Sequence, residues 1–244
     1  MSVSVILPAH DEAAYLGDCL EALLRSDCPP LEVIVVANAC SDATADVARG
    51  FARKMGQRGW QLQVIDTPVG GKLNALNLGD GAATGDIRVY LDADVTVSTR
   101  LIGQIAGALA VPQARYACGT PRVTPAESRV TRAYARFWVT LPFVTHGAPG
   151  FGLFAVNAAG RARWGAFPEI ISDDTFVRLH FAPEERVQVD ARYRWPMVEG
   201  FANLVRVRRR QNLGVDEIAK DYPTLLANDS KPALGPSGLA QRLI

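Results

Sequence analysis

Val89-Tyr90-Leu91-Asp92-Ala93-Asp94-Val95-Thr96 carries an apolar, β-forming run straight into two carboxylates one residue apart. Alternate residues of a strand face the same way, so Asp92 and Asp94 can converge where the strand ends. Two carboxylates so placed repel each other unless a cation or a ligand's donors stand between them. Such oxygen ligands suit Mg²⁺ or Mn²⁺, and Mg²⁺ is commonly held by one or two carboxylates together with substrate phosphates. Asp-x-Asp also caps helices and closes turns, so the flanking chain decides what this pair does.

Upstream, residues 2–7, 31–37 and 62–65 are short apolar runs read as buried strands, and residues 87–91 form the fourth. Helices alternate with them. Leu16, Leu20, Leu23 and Leu24 recur at helical spacing from Ala13 until Pro29-Pro30. Ser41 or Asp42 can cap a helix with the stripe Val47, Phe51 and Met55. Gly70-Gly71-Lys72 opens another through Leu73, Leu76 and Leu78, expected to end near residues 79–81. This alternation predicts an α/β fold with a parallel sheet covered by helices on both faces. Ligands bind such sheets beyond the carboxyl ends of the strands, where residues 8–12, 38–42 and 92–94 fall together.

The second half is less regular. A helix is expected over 98–109, a strand over 116–123, and an aromatic-rich helix over 126–144 that Pro142 kinks or ends. A glycine-rich loop (146–152) and a strand (154–156) follow. Asp173-Asp174-Thr175 opens a helix through Phe176, Leu179 and Phe181, followed by a strand over 187–190. A helix over 199–211 ends in Arg206, Arg208, Arg209 and Arg210. From Asp229 onward the chain reads as a loose tail.

At 244 residues and a formal net charge of +1, the chain can bury a full core and has no wholesale attraction to nucleic acid or membrane. Cys19, Cys28, Cys40 and Cys118 lack ligand spacing, which fits a reduced cytoplasmic protein. No leader and no apolar stretch of spanning length is expected, leaving at most a peripheral contact at the inner face of a membrane. His146 and His180 have no metal-ligand spacing and read as structural.

The ordered set of motifs resembles the family 2 glycosyltransferases. It comprises residues 5–12 (Val-Ile-Leu-Pro-Ala-His-Asp-Glu), 33–44, 71–77 (Gly-Lys-Leu-Asn-Ala-Leu-Asn), 83–86, Leu91-Asp92-Ala93-Asp94, Gly150-Phe151-Gly152, 164–168 and Ser172-Asp173-Asp174-Thr175. The resemblance implies the GT-A fold, a Rossmann-like mostly parallel sheet flanked by helices. Nucleotide-sugar and acceptor regions are then fused into one domain over residues 1–228, divided near residue 110, with the tail at 229–244. It also implies an inverting transfer from a nucleotide-sugar donor (a UDP- or GDP-sugar) to a glycan or lipid-linked hydroxyl, as in cell-envelope polysaccharide synthesis. Pro8, Ala9, His10, Glu12 and Asn38 would line the nucleoside pocket. Asp92, with Ala93 beside it, would face the ribose, Asp94 would ligate Mg²⁺ or Mn²⁺, and Lys72 would lie near the sugar or diphosphate. Asp174, with Asp173 beside it, would be the catalytic base.

Elementary chemistry permits these roles. A cation offsets charge on a departing diphosphate, and a carboxylate can take the acceptor proton. Crowding raises the pKa of one member of the Asp173–Asp174 pair, whereas a helix N-terminus favours both ionised. Two features depart from the family pattern. Ala37-Asn38 stands where many relatives carry paired acids, and Arg206 to Gln211 only loosely matches the glutamine–arginine motif of processive synthases. The arginines suit either a clamp on the diphosphate or an anionic lipid, or a solvated helix end. Two rival readings are a haloacid dehalogenase-like phosphatase with Asp92 as nucleophile and a non-catalytic nucleotide-sugar-binding protein. The first lacks a lysine between its acid motifs, since none lies between Lys72 and Lys220.

Overall fold

A computed structural model describes residues 1–145 and 147–229. His146 and the tail expected to be loose beyond Asp229 lie outside the described residues. The first half alternates β1 (Val3–Ala9), α1 (Ala13–Leu24), β2 (Leu31–Asn38), α2 (Thr44–Gly50), α3 (Ala52–Gln57), β3 (Gln61–Thr67), α4 (Lys72–Ala82) and β4 (Ile87–Leu91). Then come β5 (Thr96–Val97), α5 (Leu101–Leu109), β6 (Tyr116–Val123), α6 (Arg129–Trp138) and α7 (Pro142–Thr145). The chain continues through β7 (Leu153–Asn157), α8 (Ala158–Arg161), α9 (Asp173–Leu179), β8 (Arg186–Trp195) and α10 (Phe201–Asp221).

The strands form one eight-stranded sheet in the order β3-β2-β1-β4-β7-β6-β8-β5. β3, β2, β1 and β4 run parallel, as do β6 and β8. β7 lies antiparallel between β4 and β6, and β5 antiparallel along β8. The α/β class and the mostly parallel sheet therefore stand. β1 and β2 are covered on both faces, and their side chains divide by parity. Val5, Leu7, Val33 and Val35 pack with Leu16, Leu20, Leu23 and Ile105 on one face. Ile6, Ile34 and Val36 pack with Leu76, Tyr90 and Phe154 on the other.

Several expected boundaries move: β8 continues to Trp195 rather than 190 and α10 to Asp221 rather than 211. α4 ends at Ala82, beside the expected 79–81, and Gly79 within it lies against the sheet, where a Cβ would come 2.5 Å from Ile6 Cγ2. The glycine serves close packing there rather than helix termination. The stripe through Val47, Phe51 and Met55 is divided between α2 and α3. The aromatic-rich helix stops at Trp138, with Pro142 opening the next short turn. No helix among the described residues is long and apolar enough to cross a membrane.

Candidate active site

The carboxyl edge of the parallel strands is tied together before any ligand is considered. At the end of β1, His10 Nδ1 lies 2.7 Å from the Asn38 carbonyl. Asn38 is buried, donating from Nδ2 to the Ala9 carbonyl (2.7 Å) and accepting at Oδ1 from the Gly71 N–H (3.0 Å). Its amide thus joins the β1 and β2 ends to the loop that opens α4, and is not held out toward a base. Replacing Asn38 by leucine strands the buried Ala9 carbonyl and removes the acceptor of the Gly71 N–H. Thermal or denaturant melting is expected to show a loss of about 2–4 kcal/mol. An unchanged melting curve with weaker donor binding would instead return Asn38 to direct base contact.

β4 ends at Leu91, and β7 pairs with it so that Leu153 lies opposite Leu91. Gly152 consequently falls beside Asp92, whose N–H donates to the Gly152 carbonyl at 3.0 Å. Gly152 has φ +73°, and a Cβ there would approach Trp195 Cδ1 to 2.7 Å, so glycine alone fits. The Asp92 carbonyl then accepts from Val95 N–H at 3.1 Å, closing the turn that carries Asp94.

Lys72, the first residue of α4, bridges the two halves of the chain. Its Nζ lies 2.9 Å from Asp92 Oδ1 and 3.2 Å from Asp173 Oδ2, at the start of α9. Burial opposes the charge on Lys72, but the Asp173 and Asp92 carboxylates outweigh it and hold its pKa above the usual lysine range. For Asp173, burial raises the pKa; Lys72 opposes the rise, and Asp174 and Asp92 add to it. Asp174 directs Oδ1 to the N–H of Thr175 at 2.6 Å. Asp94 is pushed up to about 7 by burial and by the neighbouring Asp92 and Glu12 carboxylates. Burial followed by Asp92 likewise raises Glu12.

Pro8, Lys72, Asp92, Asp173 and Asp174 line one cavity of about 380 Å³, which Arg178, Arg208 and Arg210 also reach. Ala9, His10, Glu12, Asn38, Ala93 and Asp94 lie around this edge without lining the cavity. The cavity has an aromatic wall: the aromatic-rich stretch 137–143, which reads as core or as the wall of an acceptor pocket, contributes Trp138 and Phe143, and sequence reading missed only their partner Trp195. Trp138 stacks on Trp195 at 5.3 Å between centroids, and Phe151 meets both rings edge-on. The local signals were the aromatics of 134–143 and Phe151 between two glycines; that Trp195 joins them depends on a contact distant in sequence.

Residues 4–162 match the model of Glycosyl transferase family 2, well over half of the chain. The chain belongs to that family. Among the relatives of this family 2 chain, the PGL/p-HBAD biosynthesis glycosyltransferase of Mycobacterium tuberculosis is 34% identical over 91 residues, 37% of this chain and 34% of that protein. The family 2 chain spans about a third of the length of the curated relatives it matches. Two solved structures share the GT-A fold. S. aureus TarS 1-349 in complex with UDP-GlcNAc has a TM-score of 0.63 at 16% identity, covering 100% of this chain and 70% of that one. The mannosyltransferase PcManGT from Pyrobaculum calidifontis, in complex with GDP-Man and Mn²⁺, has a TM-score of 0.65 at 23% identity, covering 99% and 67%. The phosphatase alternative gains no support from these matches, although Lys72 does put a lysine beside Asp92.

Proposed function

We propose that this chain is an inverting glycosyltransferase moving a sugar from a nucleotide-sugar donor to the hydroxyl of a glycan or lipid-linked acceptor. The observation that carries this reading is the convergence of Lys72, Asp92, Asp173 and Asp174 on one cavity at the carboxyl edge of the parallel strands. The donor's nucleoside lies over the β1 and β2 ends near Pro8, Ala9, His10 and Glu12, with Asn38 bracing the loops beneath. Asp92 and Ala93 flank the ribose. Lys72, already holding two carboxylates, places positive charge where the sugar diphosphate enters.

The acceptor oxygen attacks the anomeric carbon as the bond to the diphosphate oxygen breaks. The bonding pair leaves with the nucleoside diphosphate, and the acceptor proton passes to the Asp174 carboxylate. Asp173, buried and paired with Lys72, orients the lysine and fixes the start of α9. A single in-line displacement inverts the anomeric centre.

Asp94 suits a divalent metal. Its raised pKa reflects burial first and then the Asp92 and Glu12 carboxylates nearby, so its ionised form is short of positive charge, which a divalent cation would supply. Mg²⁺ or Mn²⁺ held by Asp94 would offset negative charge on the leaving diphosphate. TarS with UDP-GlcNAc and PcManGT with GDP-Man and Mn²⁺ support a UDP- or GDP-sugar and a divalent metal for this chain as well. The free thiols of Cys19 and Cys118 suit a cytoplasmic protein, and a lipid-linked acceptor of the cell envelope would bring it to the inner membrane face.

A melting-temperature screen of nucleoside diphosphates, with and without Mn²⁺, tests the reading. Binding at ~100-fold saturation adds ~2.7 kcal/mol to the folded state. A clear upward shift is expected with UDP or GDP, larger with Mn²⁺. No shift with any nucleoside diphosphate would overturn the proposal.

A further inference from the structure

A local excess of positive charge borders the cavity, with Arg208 and Arg210 reaching into it. α6 contributes Arg129, Arg132 and Arg136, and the first fifteen residues of α10 contribute Arg206, Arg208, Arg209 and Arg210. Neither stretch contains an acidic residue. Among the described residues no carboxylate lies within ion-pair distance of these arginines. Two acids stand at one end of the pair, Glu127 and Glu199. The Glu199 carboxylate is taken up by the start of α6, accepting from the N–H groups of Glu127 (2.8 Å) and Ser128 (3.0 Å). At the other end stand Asp216, exposed on α10, and Glu217, which accepts from Ile171 N–H at 2.8 Å. In a chain of net charge +1, Arg129, Arg208 and Arg209 make a basic border to the groove between the two helices, while the helical turn carries Arg206 and Arg210 away from Phe201.

Between the two helices runs a groove lined by Val130, Ala133, Leu204 and Val205. Phe201 projects at its edge with 70% of its surface exposed, and Val130 is 48% exposed. Arg208 and Asn212 line both this groove and the catalytic cavity, so the two open side by side.

We propose that the α6–α10 face docks on an anionic lipid bilayer and so brings a membrane-borne acceptor to the cavity mouth. The second clause rests on the glycosyltransferase reading; the first does not. A bilayer satisfies both halves of the face at once. Lipid phosphates meet the guanidinium groups, and the Phe201 ring enters the boundary between headgroups and acyl chains. A second copy of the chain would set arginine against arginine across a two-fold axis, which like charge disfavours. A nucleic acid would use the arginines but gain little from Phe201 and Val130.

The test is co-sedimentation of the full chain with vesicles of phosphatidylcholine alone, or of phosphatidylcholine mixed with phosphatidylglycerol. Binding is expected only to the mixed vesicles and is expected to weaken as salt rises. Arg129→Glu and Arg209→Glu should each lower partitioning by about fivefold or more. Phe201→Ser should also lower it, although it leaves the charge unchanged. These three exposed side chains do not line the catalytic cavity, so melting temperature and the nucleoside-diphosphate shift should stay as in the parent chain.

Absence of binding to the mixed vesicles, or binding that none of the three substitutions weakens, overturns the proposal. Binding that Phe201→Ser leaves intact and duplex DNA displaces would make the face a polyanion site instead. Concentration-dependent dimerisation abolished by Phe201→Ser would make it a self-association surface. Vesicle binding without any nucleoside-diphosphate shift would remove the transferase reading and leave the docking face standing.

Discussion

Exchange of Asp174 for asparagine is expected to reduce turnover about a thousandfold, within the ~10²–10⁴ range for loss of a positioned general base. The amide is isosteric and its oxygen can still accept from the Thr175 N–H, so the start of α9 is preserved. It cannot take the acceptor proton. Lys72 contacts Asp92 and Asp173 rather than Asp174, so donor affinity measured by calorimetry should change little. Single-turnover rates decide the matter, and wild-type turnover in the variant would remove Asp174 from the role of base. Asp173→Asn is a useful contrast, because it disturbs a buried partner of Lys72 and should lower the melting temperature as well as the rate.

The second large effect concerns Asp94 and pH. With its pKa near 7 in the folded chain, the Asp94 carboxyl is mostly protonated below that pH and must lose its proton to hold a cation. Mn²⁺ affinity is therefore expected to rise about tenfold per pH unit up to about 7 and then level off. Calorimetry in buffers of different protonation enthalpy should show close to one proton released per ion below that pH. Asp94→Ala should abolish both the affinity and its slope. A flat profile in the parent chain would dissociate Asp94 from the metal. The metal-free fold carries the opposite sign. A carboxyl raised from 3.8 to about 7 contributes stability that is complete below 3.8 and is lost as pH rises through about 7. The melting temperature of metal-free protein should fall across that window, and Mn²⁺ should recover it.

The local parts of the architecture were legible because they depend on neighbours in sequence. β4 over 87–91 and β6 over 116–123 lie where apolar run and β-propensity place them. Helix ends governed by tertiary contact were not. α10 extends ten residues past Gln211 while packing Gly214 against Ile171 and Ser172. In the site, strand-end position marked Asp92 and Asp94, and helix-start position marked Lys72 and Asp173. That Lys72 joins Asp92 to Asp173 depends on a pairing about a hundred residues apart, which no periodicity encodes. Asn38 illustrates the converse. Its side chain invited a ligand-binding role, and two hydrogen bonds spanning 29 and 33 residues add a bracing one that sequence did not show. The tension at Asp173–Asp174 likewise needed three dimensions, because burial of Asp173 decides it.

β7 has a consequence for how this scaffold can be altered. It runs antiparallel between β4 and β6, so the strand that carries Asp92 is hydrogen-bonded along its edge to a segment from the other half of the chain. Severing the polypeptide near residue 110 would leave β4 with an open edge and deprive Asp92 of the Gly152 carbonyl that holds its turn. The donor-side and acceptor-side portions therefore cannot be grafted between proteins like beads on a string. New acceptor preferences on this frame have to arise by substitution within the loops and helices around the cavity, with the interleaved sheet left whole.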